Sequence, residues 1–107
     1  KIFSKLNKIK TQKFDKNPLY FIFQIFFPSE KIRDLVLKEF KQKNIGSSIH
    51  YATPVPLMSY YKNKYNLKNK DFSNAEKYGK TSISLPVHPF IKNTMIKNIY
   101  SVIKENL

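Results

Sequence analysis

The sequence predicts an α+β domain, in which helices cover one face of a small, short, mostly antiparallel sheet as a second layer. Three observations support this class. The 107 residues are 41% hydrophobic and 15% aromatic, which suits one domain with a modest core. Short apolar runs alternate with segments whose apolar residues recur at helical spacing. Proline, glycine and asparagine separate these segments, as expected at turns.

The first half of the chain predicts a strand, a helix and a second strand. The run LYFIFQIFF at 19–27 is aromatic and uncharged, so we predict a strand buried on both faces. A helix is predicted over 29–43, with Ser29 as its N-cap. Asn44 or Gly46 can take the left-handed conformation that ends it. The predicted apolar face of this helix consists of Ile32, Leu35, Val36 and Phe40.

The second half predicts three further elements around a less regular segment. A short strand over 45–51 follows the first helix, and residues 57–70 show no firm period, which indicates a helical turn and a loop. Residues 71–81 predict a weaker helix, and 83–87 predict a strand. The last helix is predicted over 93–106. Its apolar stripe consists of Ile96, Ile99, Tyr100 and Ile103.

Charge favours an anionic partner at first sight, but the residue types argue against specific nucleic-acid recognition. The formal net charge is +13, and basic chains of this kind often bind nucleic acid. Nineteen of the 20 basic residues are lysine and one, Arg33, is arginine. Arginine is the residue that pairs with phosphate and guanine through two hydrogen bonds. We therefore expect solvated lysines, and we keep a small nucleic-acid- or anion-binding module as the alternative.

Several kinds of site are excluded by residue counts. Without cysteine the chain can form no disulfide and no cysteine-based zinc site or nucleophile. Two glycines cannot build a phosphate-binding loop or a dinucleotide fingerprint. No metal-ligand spacing appears, no apolar run reaches the length of a membrane span, and no signal peptide is visible. We expect a cytoplasmic protein without a membrane partner and without a metal.

The stretch GSSIHYATPVP at 46–56 contains the strongest candidate for a functional residue. His50 could bind a substrate or handle a proton, or it could be a strand-end histidine bonded to backbone. For His88, in the sequence Val-His-Pro-Phe, the structural interpretation is stronger because Pro89 fixes the loop. The residues alone assemble no nucleophile, base and cofactor site that would make an independent enzyme.

Two segments resemble the DegT/DnrJ/EryC1/StrS aminotransferases. NIGSSIHYATPVPLMSYY at 44–61 is similar to the family segment in which a glycine-led strand ends in His-Tyr before a proline-containing loop. DFSNAEKYGKTSISLPVHP at 71–89 resembles a later segment with Ser-Leu-Pro and His-Pro. Ala52-Thr53 departs from the proline that usually follows His-Tyr. The resemblance identifies residues 15–107 as a C-terminal small domain, with 1–14 as a connector or tail from an upstream large domain.

The resemblance implies a function for the parent protein. Family members are pyridoxal-phosphate-dependent enzymes that transfer an amino group from glutamate or glutamine to a nucleotide-linked keto-sugar. The Schiff-base lysine and the cofactor pocket belong to the large domain, so the resemblance implies no catalytic and no cofactor-binding residue here. It implies that His50 and Tyr51 bind substrate, that the large domain is a partner, and that the parent is a homodimer. The fragment alone is expected to be inactive. A dehydratase of the same fold and a non-catalytic oligomerisation domain remain alternatives.

Overall fold

The computed structural model describes residues 2–13 and 21–107, and these form a three-stranded antiparallel sheet with four α-helices. In chain order the elements are β1 (Lys10–Thr11), β2 (Phe23–Phe26), α1 (Glu30–Gln42), α2 (Ser59–Lys64), α3 (Ser73–Thr81), β3 (Ser82–Leu85) and α4 (Asn93–Glu105). Short 3-10 turns cover Phe3–Lys5, Val55–Leu57 and Asn69–Phe72. This arrangement confirms the predicted α+β class.

The sheet has the strand order β1-β2-β3, and its register separates two faces. Because side chains alternate along a strand, Ile25 and its partner Ile83 lie on one face. Gln24 and its partner Ser84 lie on the other. We call the first the core face and the second the polar face. The core face therefore presents apolar side chains, and the polar face presents side chains that can form hydrogen bonds.

Helices α1 and α4 bury the core face. Six side chains without solvent exposure form the centre of one apolar cluster: Ile25, Val36, Phe40, Ile83, Val102 and Ile103. Complete burial of an aliphatic or aromatic side chain of this size stabilises the fold by roughly 1.5–3 kcal/mol. The cluster also includes Leu6 and Ile9, which flank the N-terminal 3-10 turn and β1. Leu6 and Ile9 are three residues apart, as on one face of a helix, but here they lie between a 3-10 turn and a strand.

Both predicted ends of α1 are confirmed. The hydroxyl of Ser29 accepts a hydrogen bond from the backbone N–H of Ile32 at 3.3 Å. Asn44 takes the left-handed conformation with φ of 53°. The N–H of Ile45 then donates to the Phe40 carbonyl at 2.8 Å, and that of Asn44 donates to the carbonyl of Lys41 at 3.3 Å. This is the Schellman pattern of paired bonds, and both Phe40 and Ile45 belong to the buried apolar cluster.

Three expectations about burial and strand length are wrong. Leu35 is 44% exposed, whereas Arg33 is buried, because its guanidinium finds polar partners at the contact between α1 and α3. Phe21 is 88% exposed, so the apolar run is not buried along its length. The strand predicted over 45–51 is a single bridge between Ser48 and Ser84, and a turn begins at His50.

The remaining elements are confirmed with shorter bounds. The described strand in the first apolar run is β2; residues 19 and 20 lie outside the described residues, as does the predicted domain boundary between 14 and 15. The helical turn within 57–70 is α2, and the weaker helix is α3. Pro86 follows the end of β3. None of the helices in the described ranges is long and apolar enough to cross a bilayer.

Candidate functional site

The candidate site lies where the His50–Tyr51 loop crosses α3. A β carbon added to Gly79 of α3 would stand 2.5 Å from the carbonyl oxygen of Ala52 and 2.6 Å from that of Tyr51. No residue with a side chain allows this approach without displacement of the backbone. Gly79 therefore sets how closely the loop lies against the helix, and hence where His50 and Tyr51 stand.

The polar face of the sheet holds His50 through its ring and its backbone. The Nδ1 atom of the ring lies 3.0 Å from the hydroxyl oxygen of Ser84 on β3. The carbonyl oxygen of His50 accepts a hydrogen bond of 3.3 Å from Nε2 of Gln24 on β2. These two contacts fix the residue at two points on adjacent strands.

Gln24 connects this face of the sheet to α3. Its side-chain oxygen accepts a hydrogen bond from the hydroxyl of Tyr78. Its backbone N–H donates to Oε1 of Gln12 at 2.8 Å. Since Gln24 is buried, each of these partners satisfies a group that would otherwise be costly to desolvate. Gln24, His50, Tyr78 and Ser84 form one set of hydrogen-bonded residues, which we call the His50 network.

A cleft of about 500 Å³ opens beside this network, and we call it the His50 cleft. Its lining consists of His50, Tyr51, Thr53, Pro54, Val55, Met58, Asn74, Ala75 and Tyr78. The lining contains no lysine, arginine, aspartate or glutamate. The ring of Tyr51 is 74% exposed and meets the His50 ring edge to face, with ring centres 5.4 Å apart. The cleft therefore offers imidazole, amide and hydroxyl groups on an otherwise apolar wall, as small-molecule sites commonly do.

The two predicted site residues, which are neighbours in sequence, line the same cleft, and the second histidine lies elsewhere. His88 is exposed and borders a different cleft of about 360 Å³, whose walls include Phe3, Phe23 and Ile96. Sequence reasoning missed Gln24, Tyr78 and Ser84. The isolated glutamine within an apolar strand was the available signal, because a buried amide requires partners.

Two charged groups near the site, Arg33 and Glu76, lie outside the lining of the cleft. Arg33 donates to the carbonyl of Gly79 at 2.8 Å and to Asp34 at 2.7 Å. A cation at this point satisfies a carbonyl of the last turn of α3 and complements the helix dipole. On the exposed side of α3, hydrogen bonds from Asn69 and Lys80 lower the pKa of Glu76. The buried Arg33 is thus engaged within the domain.

The described residues do not fit a covalent pyridoxal phosphate site. A lysine that forms a Schiff base at neutral pH needs a desolvated pocket or a cationic neighbour to lower its pKa. Among the described lysines none is buried; Lys62 is half-buried, and its ammonium group donates to the side-chain oxygen of Asn69 at 2.7 Å. The part of the chain that the structure covers also contains no group of three metal-ligating side chains.

A profile of the DegT/DnrJ/EryC1/StrS aminotransferase family matches residues 1–104. The chain belongs to this family. It is 32% identical over 73 residues to an uncharacterized protein of Methanocaldococcus jannaschii, a match that covers 68% of this chain and 19% of that protein. It is also 32% identical over 62 residues to SpsC, a spore coat polysaccharide biosynthesis protein of Bacillus subtilis, which covers 58% of this chain and 16% of SpsC.

Solved structures of sugar aminotransferases share the fold. A putative sugar aminotransferase from Streptococcus pneumoniae, in its PMP form, superposes with a TM-score of 0.78 at 20% identity. It covers 98% of this chain, and this chain covers 28% of it. DesV from S. venezuelae gives a TM-score of 0.77 at 18% identity, with 97% and 28% covered. This chain therefore shares the fold of these two structures and spans less than a third of their length.

Proposed function

We propose that this chain is the C-terminal small domain of a pyridoxal-phosphate-dependent aminotransferase that aminates a nucleotide-linked keto-sugar, with glutamate or glutamine as amino donor. The observation that carries the proposal is the family match over residues 1–104 of a chain that spans 28% of a sugar aminotransferase structure. The product would enter a polysaccharide or another cell-surface sugar. SpsC, with its role in spore coat polysaccharide biosynthesis, supports that direction.

His50 and Tyr51 would form a wall of the substrate site in the complete enzyme. The uncharged His50 cleft supports this role, because sugar hydroxyl and carbonyl groups need hydrogen-bond partners rather than an opposite charge. The edge-to-face contact of the two rings presents an aromatic surface beside the imidazole. In this position His50 would orient the sugar, and Tyr51 would exclude water from one side of it.

The remaining machinery would lie on a large domain of the same polypeptide. Pyridoxal phosphate, when bound, supplies an electron sink for amino-group transfer. Since no described lysine has the buried setting that a Schiff base requires, we propose that this chain alone holds no cofactor and is inactive. Exposed apolar side chains at Phe21, Tyr51 and Phe90 support burial against further polypeptide, either the large domain or a second subunit of a homodimer. We place the enzyme in the cytoplasm.

The test compares the 107-residue chain with the longer polypeptide that carries it. Each is purified with pyridoxal phosphate and incubated with glutamate and a nucleotide-linked keto-sugar. We expect the absorbance of bound cofactor, and formation of amino-sugar and 2-oxoglutarate, from the longer protein only. Loss of water from the sugar without consumption of glutamate would assign a dehydratase instead. Turnover by the short chain, or a longer protein that never binds the cofactor, would overturn the proposal.

A further inference from the structure

We infer that Ser84 holds His50 as the tautomer with its proton on Nε2, so that the His50 cleft presents a hydrogen-bond donor and selects a ligand with an acceptor oxygen at that point. Ser84 is thereby a positioning residue. The inference deepens the proposed function, on which it rests, by naming the ligand group that His50 recognises. Its structural half, the tautomer, can be tested without any substrate.

The proton of the buried Ser84 hydroxyl needs an acceptor. Ser84 is 4% exposed, and among the described residues its side chain has one hydrogen-bond partner, Nδ1 of His50 at 3.0 Å. If Nδ1 carried the proton and donated it, the buried hydroxyl would have no acceptor for its own proton. A buried donor left unsatisfied costs about 1–3 kcal/mol. Ser84 therefore donates, Nδ1 accepts, and the proton of the neutral ring is on Nε2.

Contacts of the surrounding backbone restrict the position of the His50 ring. Gln24 donates to the His50 carbonyl, and Tyr78 in turn donates to Gln24. The carbonyls of the next two residues lie against Gly79. The backbone is thus held at His50 and at the two residues that follow it. Rotation of the ring that swaps the positions of Nδ1 and Nε2 would break the contact to Ser84.

Nε2 is the ring nitrogen of His50 that remains for a ligand, since Nδ1 contacts Ser84. Within the described ranges Nε2 of His50 has no hydrogen-bond partner, and His50 lines an uncharged cleft. An N–H in that setting pairs with a hydroxyl, carbonyl or phosphoryl oxygen. An ammonium group at the same point would place donor against donor. If the proposed function holds, the site favours the oxygen of the keto-sugar over the ammonium of the amino-sugar product.

The chain provides a matched control on the same strand. Ser82 lies two residues before Ser84 on the polar face of the sheet, and it is fully buried. Its hydroxyl oxygen has no hydrogen-bond partner among the described residues. The substitutions Ser84→Ala and Ser82→Ala therefore remove the same atom at equivalent depth, but only the first removes a partner of His50.

The experiment is long-range ¹H–¹⁵N NMR of the imidazoles in the ¹⁵N-labelled 107-residue chain, at a pH where both histidines are neutral. His88→Gln assigns the signals, and the exposed His88 serves as the reference for a solvated ring. We expect one tautomer for His50, with the proton on Nε2 and an accepted hydrogen bond at Nδ1. Ser84→Ala should convert this pattern to the mixture seen for His88, and Ser82→Ala should leave it unchanged.

Two results would overturn the inference. One is a wild-type His50 protonated mainly on Nδ1, and the other is a tautomer mixture equal to that of His88. Both are read from the wild-type spectrum, so the test holds even if Ser84→Ala fails to fold. Because no substrate or cofactor is present, a failed tautomer prediction leaves the proposed function standing. An inactive longer protein would equally leave the tautomer result intact.

Discussion

The α carbon of Gly79 lies so close to the carbonyl oxygen of Ala52 that a β carbon would stand 2.5 Å from it. This approach holds the His50–Tyr51 loop against α3. It also places Gly79 in two contacts at once, since the carbonyl of the same residue accepts the hydrogen bond of the buried Arg33. One residue thus connects α1, α3 and the candidate site.

Gly79→Ala tests this contact. The added methyl group must displace the backbone at Tyr51 and Ala52, so we expect a loss of about 1–3 kcal/mol in the free energy of unfolding, measured by urea denaturation. Gly46→Ala is the matched control, because nothing lies within 4 Å of its added β carbon and its φ is not positive. The free energy of unfolding of Gly46→Ala should differ from that of the parent chain by less than about 0.5 kcal/mol. Equal stability of both variants would contradict the close approach.

Tyr78→Phe tests the hydrogen bond that anchors Gln24. Removal of the hydroxyl leaves the buried side-chain oxygen of Gln24 without this partner. We therefore expect the free energy of unfolding to fall by about 1 kcal/mol. The backbone amide signals of residues 50–52 should shift with it. Tyr65→Phe is the control, since the Tyr65 side chain is 58% exposed. Its free energy of unfolding should differ from that of the parent chain by less than about 0.5 kcal/mol. Identical melting of both variants would mean that Tyr78 contributes nothing to the network.

Asn44 tests the end of α1. Its φ of 53° favours glycine or asparagine, so Asn44→Ala should lower the free energy of unfolding by about 1 kcal/mol, whereas Asn44→Gly should preserve it. Thermal unfolding followed by circular dichroism measures both. As a control, Asn98→Ala on the exposed side of α4 should be neutral or slightly stabilising. A stable Asn44→Ala would show that the helix ends differently.

Glu76 gives a pH dependence with a defined sign. Hydrogen bonds from Asn69 and Lys80 lower the pKa of its carboxylate. The unfolded chain therefore binds this proton at higher pH than the native chain. The stabilisation is fully present above the unfolded pKa and is lost as pH falls through the native pKa. NMR titration should show the midpoint of Glu76 rising in Asn69→Ala, and an unchanged midpoint would rule out the assigned cause.

Local patterns predicted α1 because each of its determinants lies within the helix or next to it. The hydroxyl of Ser29, the left-handed Asn44 and the spacing of Val36 and Phe40 act over a few residues. The error at Leu35 has a different origin. Arg33 is buried while Leu35 is exposed, and the burial of Arg33 depends on the Gly79 carbonyl, which is 46 residues away in sequence. Periodicity alone contains no information about such a partner.

The same distinction applies to the candidate site. The motif around His50 pointed to the loop that borders the His50 cleft, because a histidine between a strand-like segment and two prolines is locally conspicuous. Its partners come from β2 and β3, at separations of 26 and 34 residues. The predicted strand over 45–51 failed because the hydrogen bonds of His50 go to side chains of the sheet instead of to a ladder.

The most direct measurement of the central claim is the kinetics of His50→Ala in the complete enzyme, with a nucleotide-linked keto-sugar as substrate. If His50 forms a wall of the substrate site, kcat/KM for the sugar should fall by about tenfold or more, as expected for loss of one hydrogen bond of roughly 1.5 kcal/mol. Cofactor absorbance should be unchanged, and His88→Ala should retain wild-type kinetics. Wild-type values of both kcat and KM in His50→Ala would contradict the claim and leave His50 with a structural role.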